Sequence, residues 1–161
     1  MSIMWFILFA GILLIHNAEE WMFVDRLTFG SPGRRIRFPV TRFRVALVLV
    51  TLAGMALVPL KASGLEQADR LLAGAAAVMV FNAVFPHLFL TLALRRYTAG
   101  VVTATLLMLP GCLAIISAAH EAGLDPVQIG TGALLVGLPV LLLLVLLIGP
   151  RLWPEGPPAK R

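Results

Sequence analysis

Charge is scarce in this chain of 161 residues: Asp, Glu, Lys and Arg make up 13% of it, against 60% hydrophobic residues. The mean hydropathy is +0.95. A soluble domain of this size cannot enclose so many apolar residues in its own interior, which excludes a water-soluble globular fold. Cysteine is nearly absent. Cys112 is the single thiol, so an intramolecular disulfide is ruled out, and its apolar neighbours suit a small packed residue. No basic stretch alternates with stacking aromatics, so the net charge of +5 does not mark a nucleic-acid binder, and no nucleic-acid partner is expected. The N-terminal segment lacks the basic leader and small-residue cleavage site of a secretory signal, and it carries Glu19 and Glu20. It reads as a retained helix.

What is present is a series of long apolar runs. About 20 apolar residues span the hydrocarbon core of a bilayer, and five stretches qualify: 3–24, 43–60, 71–94, 98–119 and 127–149. Gly64, Gly123, Asp125-Pro126 and the run Gly30-Ser31-Pro32-Gly33 supply the turns between them. The expected fold class is all-α, a polytopic membrane protein built as a five-helix transmembrane bundle. Residues 1–150 form one transmembrane domain and 151–161 a polar cytoplasmic tail. Eleven of the 13 Lys and Arg residues fall in the first and third connections and the tail, leaving Lys61 and Arg70 on the other side. The positive-inside rule then puts the N-terminus outside and the C-terminus inside, and a bacterial inner (plasma) membrane is the expected location. The arginines of the first connection, Arg26, Arg34, Arg35, Arg37, Arg42 and Arg44, suit anionic lipid headgroups. Some of them would also suit a substrate phosphate. The fifth span has no ionisable side chain and reads as lipid-facing scaffold. Small residues in the third span (Ala73 to Ala77, with Gly74) and the fourth (Gly100, Ala104) point to an inner bundle of the first, third and fourth spans.

Against that background, His16-Asn17-Ala18-Glu19-Glu20 stands out. Ionisable groups inside a membrane helix are costly and by default mark a functional site. At about 100° per residue, His16, Glu19 and Glu20 share an arc of roughly 100°, while Asn17 points to a different helix. Two adjacent buried carboxylates do not both ionise unpaired, so one needs a proton, a metal or a cationic partner. The third span offers Asn82 and His87 around Pro86. The proline ring clashes with the carbonyl four residues back, that of Asn82, which predicts a kink. The first and third spans run parallel. With a rise of 1.5 Å per residue, His87 lies about 12 Å above Arg95, and Glu20 and His16 about 9 and 15 Å above Arg26, in one layer of the cytoplasmic half. Thr98, Thr103 and Thr105 enter that layer from the fourth span, but membrane threonines more often bond their own backbone. Pro110 predicts a bend in the fourth span, and His120-Glu121 at its outer end reads as a wet loop.

These residues resemble the bacterial integral-membrane family named for its HxxEE signature. His16-Asn17-Ala18-Glu19-Glu20 carries the signature, Asn82 and His87 stand in the third span, and Tyr97-Thr98-Ala99-Gly100-Val101-Val102-Thr103 is similar to a Tyr-x-x-Gly-x-x-Thr run. Ala99 occupies a position where the family tends to have proline. The resemblance implies a membrane enzyme of unassigned activity.

The expected function is therefore a membrane-embedded enzyme acting on a hydrophobic or lipid-like small-molecule substrate, with membrane lipids as neighbours. His16, Glu19, Glu20, Asn82 and His87 are its expected catalytic set. Isomerisation, cyclisation and hydrolysis within the leaflet all fit. Two routes are open. In one, His16, Glu19, Glu20 and His87 hold a divalent metal, zinc or iron by donor type. In the other, Glu and His act as acid and base without metal. The zinc pattern HExxH is missing, which favours the metal-free route. A small proton-coupled transporter or transporter subunit is the alternative, since His and Glu chains also relay protons. Residues 3–15 are wholly apolar, and no internal repeat is evident.

Overall fold

In hydrocarbon every backbone polar group must be satisfied within its own segment, so long apolar runs fold as helices. The computed structural model describes residues 1–26, 28–29, 36–37 and 39–152. Among them, five helices are long and apolar enough to cross a membrane: Ile3–Phe23, Val40–Ala62, Ala68–Leu94, Val101–Glu121 and Pro126–Gly149. They are the five expected spans, and their ends move by three residues at most. The fourth begins at Val101 rather than 98, because Gly100 has a left-handed φ of 87° that no regular helix continues through. Thr98 therefore belongs to the turn before the fourth span, not to the span itself. The first connection includes a short antiparallel rung that pairs Thr28 with Arg37 and Phe29 with Ile36. The side chains of Arg26, Arg34, Arg35 and Arg37, with those of the 151–161 tail, lie outside the described residues. Arg44 pairs with Asp25 at 2.7 Å and stacks over Trp21. The Nη1 of Arg42 reaches the Leu147 carbonyl at 3.5 Å.

The buried apolar cluster comes from the inner bundle. Phe6, Phe9, Ile12 and Leu13 of the first span meet Leu72, Ala75, Ala76 and Met79 of the third, and Met108, Cys112 and Ile115 of the fourth. Leu57 is the second span's contribution. Lys61 fixes the helix directions at one end: its Nζ lies 2.7 Å from Asp69 Oδ1 and 5.7 Å from the centre of the Phe6 ring. The starts of the first and third spans are thus together, and the two helices run parallel.

The fifth span is more than a lipid-facing post. A Cβ on Gly74 would fall on the backbone of Gly132 and Ala133, and one on Gly132 would fall on the carbonyl of Arg70. Third and fifth spans therefore touch backbone to backbone, which only glycine permits. Its other face, with Leu134, Leu138, Leu142 and Leu146, is exposed and suits lipid.

Two helices are irregular where proline predicts it. In the third span, Ala83–Leu88 widens into a π-helical turn with Phe85 at non-helical angles (φ −134°, ψ 112°); the Phe85–Pro86 peptide is cis. In the fourth, Ala104–Met108 is π-helical just before Pro110. Such widened turns are common at functional sites. Both lie at the end of the bundle that holds the HxxEE residues.

Candidate functional site

His16 and Glu20 sit one turn apart near the end of the first span, and the kink of the third span delivers His87 to them. The two imidazoles meet edge to face with centroids 4.9 Å apart. His16 is 1% exposed and His87 4%. The Glu20 side chain, 12% exposed, lies between them: Oε1 is 3.4 Å from His87 Nε2 and Oε2 is 3.8 Å from His16 Nε2. Gly100 closes this group from above. A Cβ there would stand 2.8 Å from Glu20 Cγ, 2.8 Å from His87 Cε1 and 2.9 Å from His16 Cε1. Any side chain larger than hydrogen would push the three apart.

The partners of each ring fix its tautomer when neutral. His87 Nδ1 lies 2.9 Å from the Ala99 carbonyl, which can only accept, so Nδ1 carries the proton and Nε2 is a lone pair. Asn82 Nδ2 donates to that Nε2 at 3.3 Å. Thr103 donates its hydroxyl proton to Glu19 Oε2 at 2.5 Å, so its oxygen accepts from His16 Nδ1 at 3.0 Å. That leaves His16 Nε2 as a second lone pair, buried and without a hydrogen-bond partner.

The two adjacent carboxylates have separate fates. Glu19 accepts hydrogen bonds from the Tyr97 hydroxyl at 2.5 Å, from the Val102 and Thr103 amides at 3.3 and 2.8 Å, and from the Thr103 hydroxyl. Its lone pairs are engaged, and it stands outside the group in which His16, Glu20 and His87 bring donor atoms within 4.8 Å of one another. Of the four residues expected to share a metal, His16, Glu20 and His87 are brought together, while Glu19 is held apart by the start of the fourth span. Asn17 turns to the second span as expected, donating to Thr51 Oγ1 at 2.6 Å and to the Leu47 carbonyl at 3.5 Å.

The threonines diverge. Thr105 bonds its own backbone at the Val101 carbonyl, 2.8 Å away, and Thr98 bonds Thr91 at 2.6 Å. Thr103 instead joins Glu19 to His16, a role that the general habit of membrane threonines conceals. The available signal was the spacing Tyr97, Gly100, Thr103: the first and last hold Glu19 and the middle one covers the His/Glu/His group. His120 and Glu121 are exposed, at the far end of the fourth span.

A cavity of about 310 Å³ adjoins the group. Glu20, Asn82, His87, Asn17 and Thr98 supply its polar groups; Leu47, Val50, Met79, Leu90, Val140 and Leu144 are among the apolar residues that make up most of the rest.

The fold and site define a polytopic helical membrane protein with a buried His/Glu/His group near one end of its bundle. Residues 7–115 match the family described as a protein of unknown function with HXXEE motif, and the chain belongs to that family. It is also similar to the uncharacterized protein YrkK of Bacillus subtilis (strain 168), 29% identical over 110 residues that cover 63% of this chain and 66% of that one. The chain thus spans just under two thirds of that relative's length. No solved structure matches.

Proposed function

We propose that this protein is a membrane-embedded enzyme that draws a hydrophobic, lipid-like substrate into the cavity and transforms it against the wall formed by Glu20, His87 and Asn82. The observation that carries this reading is the pairing of an apolar chamber with a compact, convergent set of polar groups. Ligand sites commonly have that composition, and the volume of about 310 Å³ is at the small end of their range. Glu20 and His87 are the groups that face the chamber with a proton to give or take, and the Asn82 amide can orient a substrate oxygen. Isomerisation, cyclisation and hydrolysis remain the reaction types compatible with this wall. With the basic first connection placed in the cytoplasm, the chamber lies in the inner half of a bacterial plasma membrane.

The transporter reading has less support. Beyond the site, the first, third and fourth spans meet through Phe6, Phe9, Leu72, Met108 and Ile115, all buried and apolar. Among the described residues, no chain of polar groups continues through that layer.

The test is substrate trapping. Wild type, Glu20→Gln and His87→Gln are purified in mild detergent, and the apolar compounds that accompany each are identified by native mass spectrometry. The expected result is a compound in the two variants that differs chemically from the one in wild type, substrate against product. Identical compounds in all three would reject turnover at this wall.

A further inference from the structure

Three acceptors converge in the site, and the groups around them supply one donor. His16 Nε2 is a buried lone pair without a partner. His87 Nε2 is a lone pair whose Nδ1 proton is committed to Ala99. Glu20 adds a carboxylate 3.4 and 3.8 Å from the two. Asn82 Nδ2, 3.3 Å from His87 Nε2, is the single donor. Buried lone pairs facing one another are unfavourable unless a proton or a metal ion lies between them, and a single proton on Glu20 would serve one imidazole and leave the other bare.

We propose that His16 Nε2, His87 Nε2 and one Glu20 oxygen bind a single divalent transition-metal ion, zinc or iron(II) by donor type, with its remaining coordination positions turned to the apolar cavity. Ligand atoms about 2.0–2.1 Å from zinc stand about 3.3 Å apart in a tetrahedral shell; here Glu20 Oε1 is 3.4 Å from His87 Nε2, Oε2 is 3.8 Å from His16 Nε2, and the three donor atoms lie within 4.8 Å of one another, so the side chains draw in by about an ångström around the ion. The surroundings match those of metal-binding histidines, whose other nitrogen donates to a carbonyl or, directly or through a relay, to a carboxylate. His87 Nδ1 donates to the Ala99 carbonyl, and His16 Nδ1 to Thr103, which hands on to Glu19. Glu19 is thus a positioning residue, not a ligand, and Asn82 is the group displaced from His87 when the ion enters. The absence of HExxH is no obstacle, because the second imidazole comes from another helix. Two imidazoles and one carboxylate with open positions form a donor set suited to activating an oxygen-bearing ligand.

This inference deepens the enzymatic reading by naming the ion its site holds, and its test is independent of turnover. Full-length protein in detergent is stripped with chelator and titrated with Zn²⁺, and separately with Co²⁺, whose visible absorption reports coordination. One ion per chain is expected for wild type. Glu20→Gln, His16→Gln and His87→Gln should each lose stoichiometric binding while keeping a monodisperse, helical fold. Glu19→Gln and Thr103→Val should keep the stoichiometry but weaken affinity about 10- to 100-fold, with Thr103→Ser restoring it. Absence of a bound ion from folded wild type, or binding unchanged in Glu20→Gln and His87→Gln, would overturn the proposal. Should the trapped compounds still differ between wild type and Glu20→Gln in that event, acid–base chemistry at the same wall stands without the ion. Should neither hold, both readings fall.

Discussion

The two ends of the bundle use glycine for opposite purposes. Around Gly74 and Gly132, unbroken helices press backbone to backbone, and the polar contact at that end is the Lys61–Asp69 ion pair, not an imidazole–carboxylate group. Around Gly100, the helices are interrupted, by π-helical turns at Ala83–Leu88 and Ala104–Met108, and the missing side chain makes room for those of His16, Glu20 and His87. Regular helix suffices where the task is to pack. Where side chains from separate helices must converge on one point, the backbone leaves the regular path, and the freed space goes to the converging groups.

That contrast can be broken by substitution. The largest effect on stability is expected from Gly74→Val, whose branched side chain would strike the Gly132 backbone. Overpacking typically costs about 1–3 kcal/mol and occasionally more, and a clash with backbone that cannot rotate away puts this substitution at the upper end. Thermal unfolding in detergent should show a large fall in midpoint, with cavity compounds retained in whatever folds. Glu19→Gln removes the charge from an acceptor of four hydrogen bonds, each of the charge-assisted sort worth about 1.5–3 kcal/mol. A loss of about 2 kcal/mol is expected in the same measurement, and a value near zero would mean that the start of the fourth span is held by other contacts. Gly100→Ala sharpens the contrast most. Its left-handed φ costs an alanine about 1–2 kcal/mol, a modest loss of stability, while ligand binding at the His/Glu/His group should fail outright because the new methyl meets all three side chains. Retained binding in Gly100→Ala would show that the group tolerates spreading. Asp25→Asn breaks the exposed pair with Arg44 and should shift stability by less than about 1 kcal/mol.

Much of this was legible in the sequence, for identifiable reasons. Span number follows from apolar length, and the parallel course of the first and third spans follows from counting crossings. His16 and Glu20 were legible together because i and i+4 share a helix face, and His87 because Pro86 announces a kink beside it. The parting of Glu19 from Glu20 was not. A shared arc says which way side chains leave the helix, but the acceptor that finds donors depends on where the neighbouring helix begins, and that is set by Gly100. Thr103 is hidden in the sequence for the same reason: Thr105, two residues on, follows the self-bonding habit, and only the tertiary position of Glu19 separates the two. In the fifth span the leucines dominate the sequence pattern and do face outward, while Gly132 on the other side carries the contact with the third.

The connection between the third and fourth spans has one more consequence. Surface loops ordinarily tolerate an added or deleted residue. This one is pinned at both ends by left-handed residues, Arg95 at φ 48° and Gly100 at φ 87°, and in between it spends the Ala99 carbonyl on His87 and the Tyr97 hydroxyl on Glu19. It has no slack: its length is as much a part of the site as any side chain, and changing that length by one residue would unseat an imidazole and an acid in the same stroke.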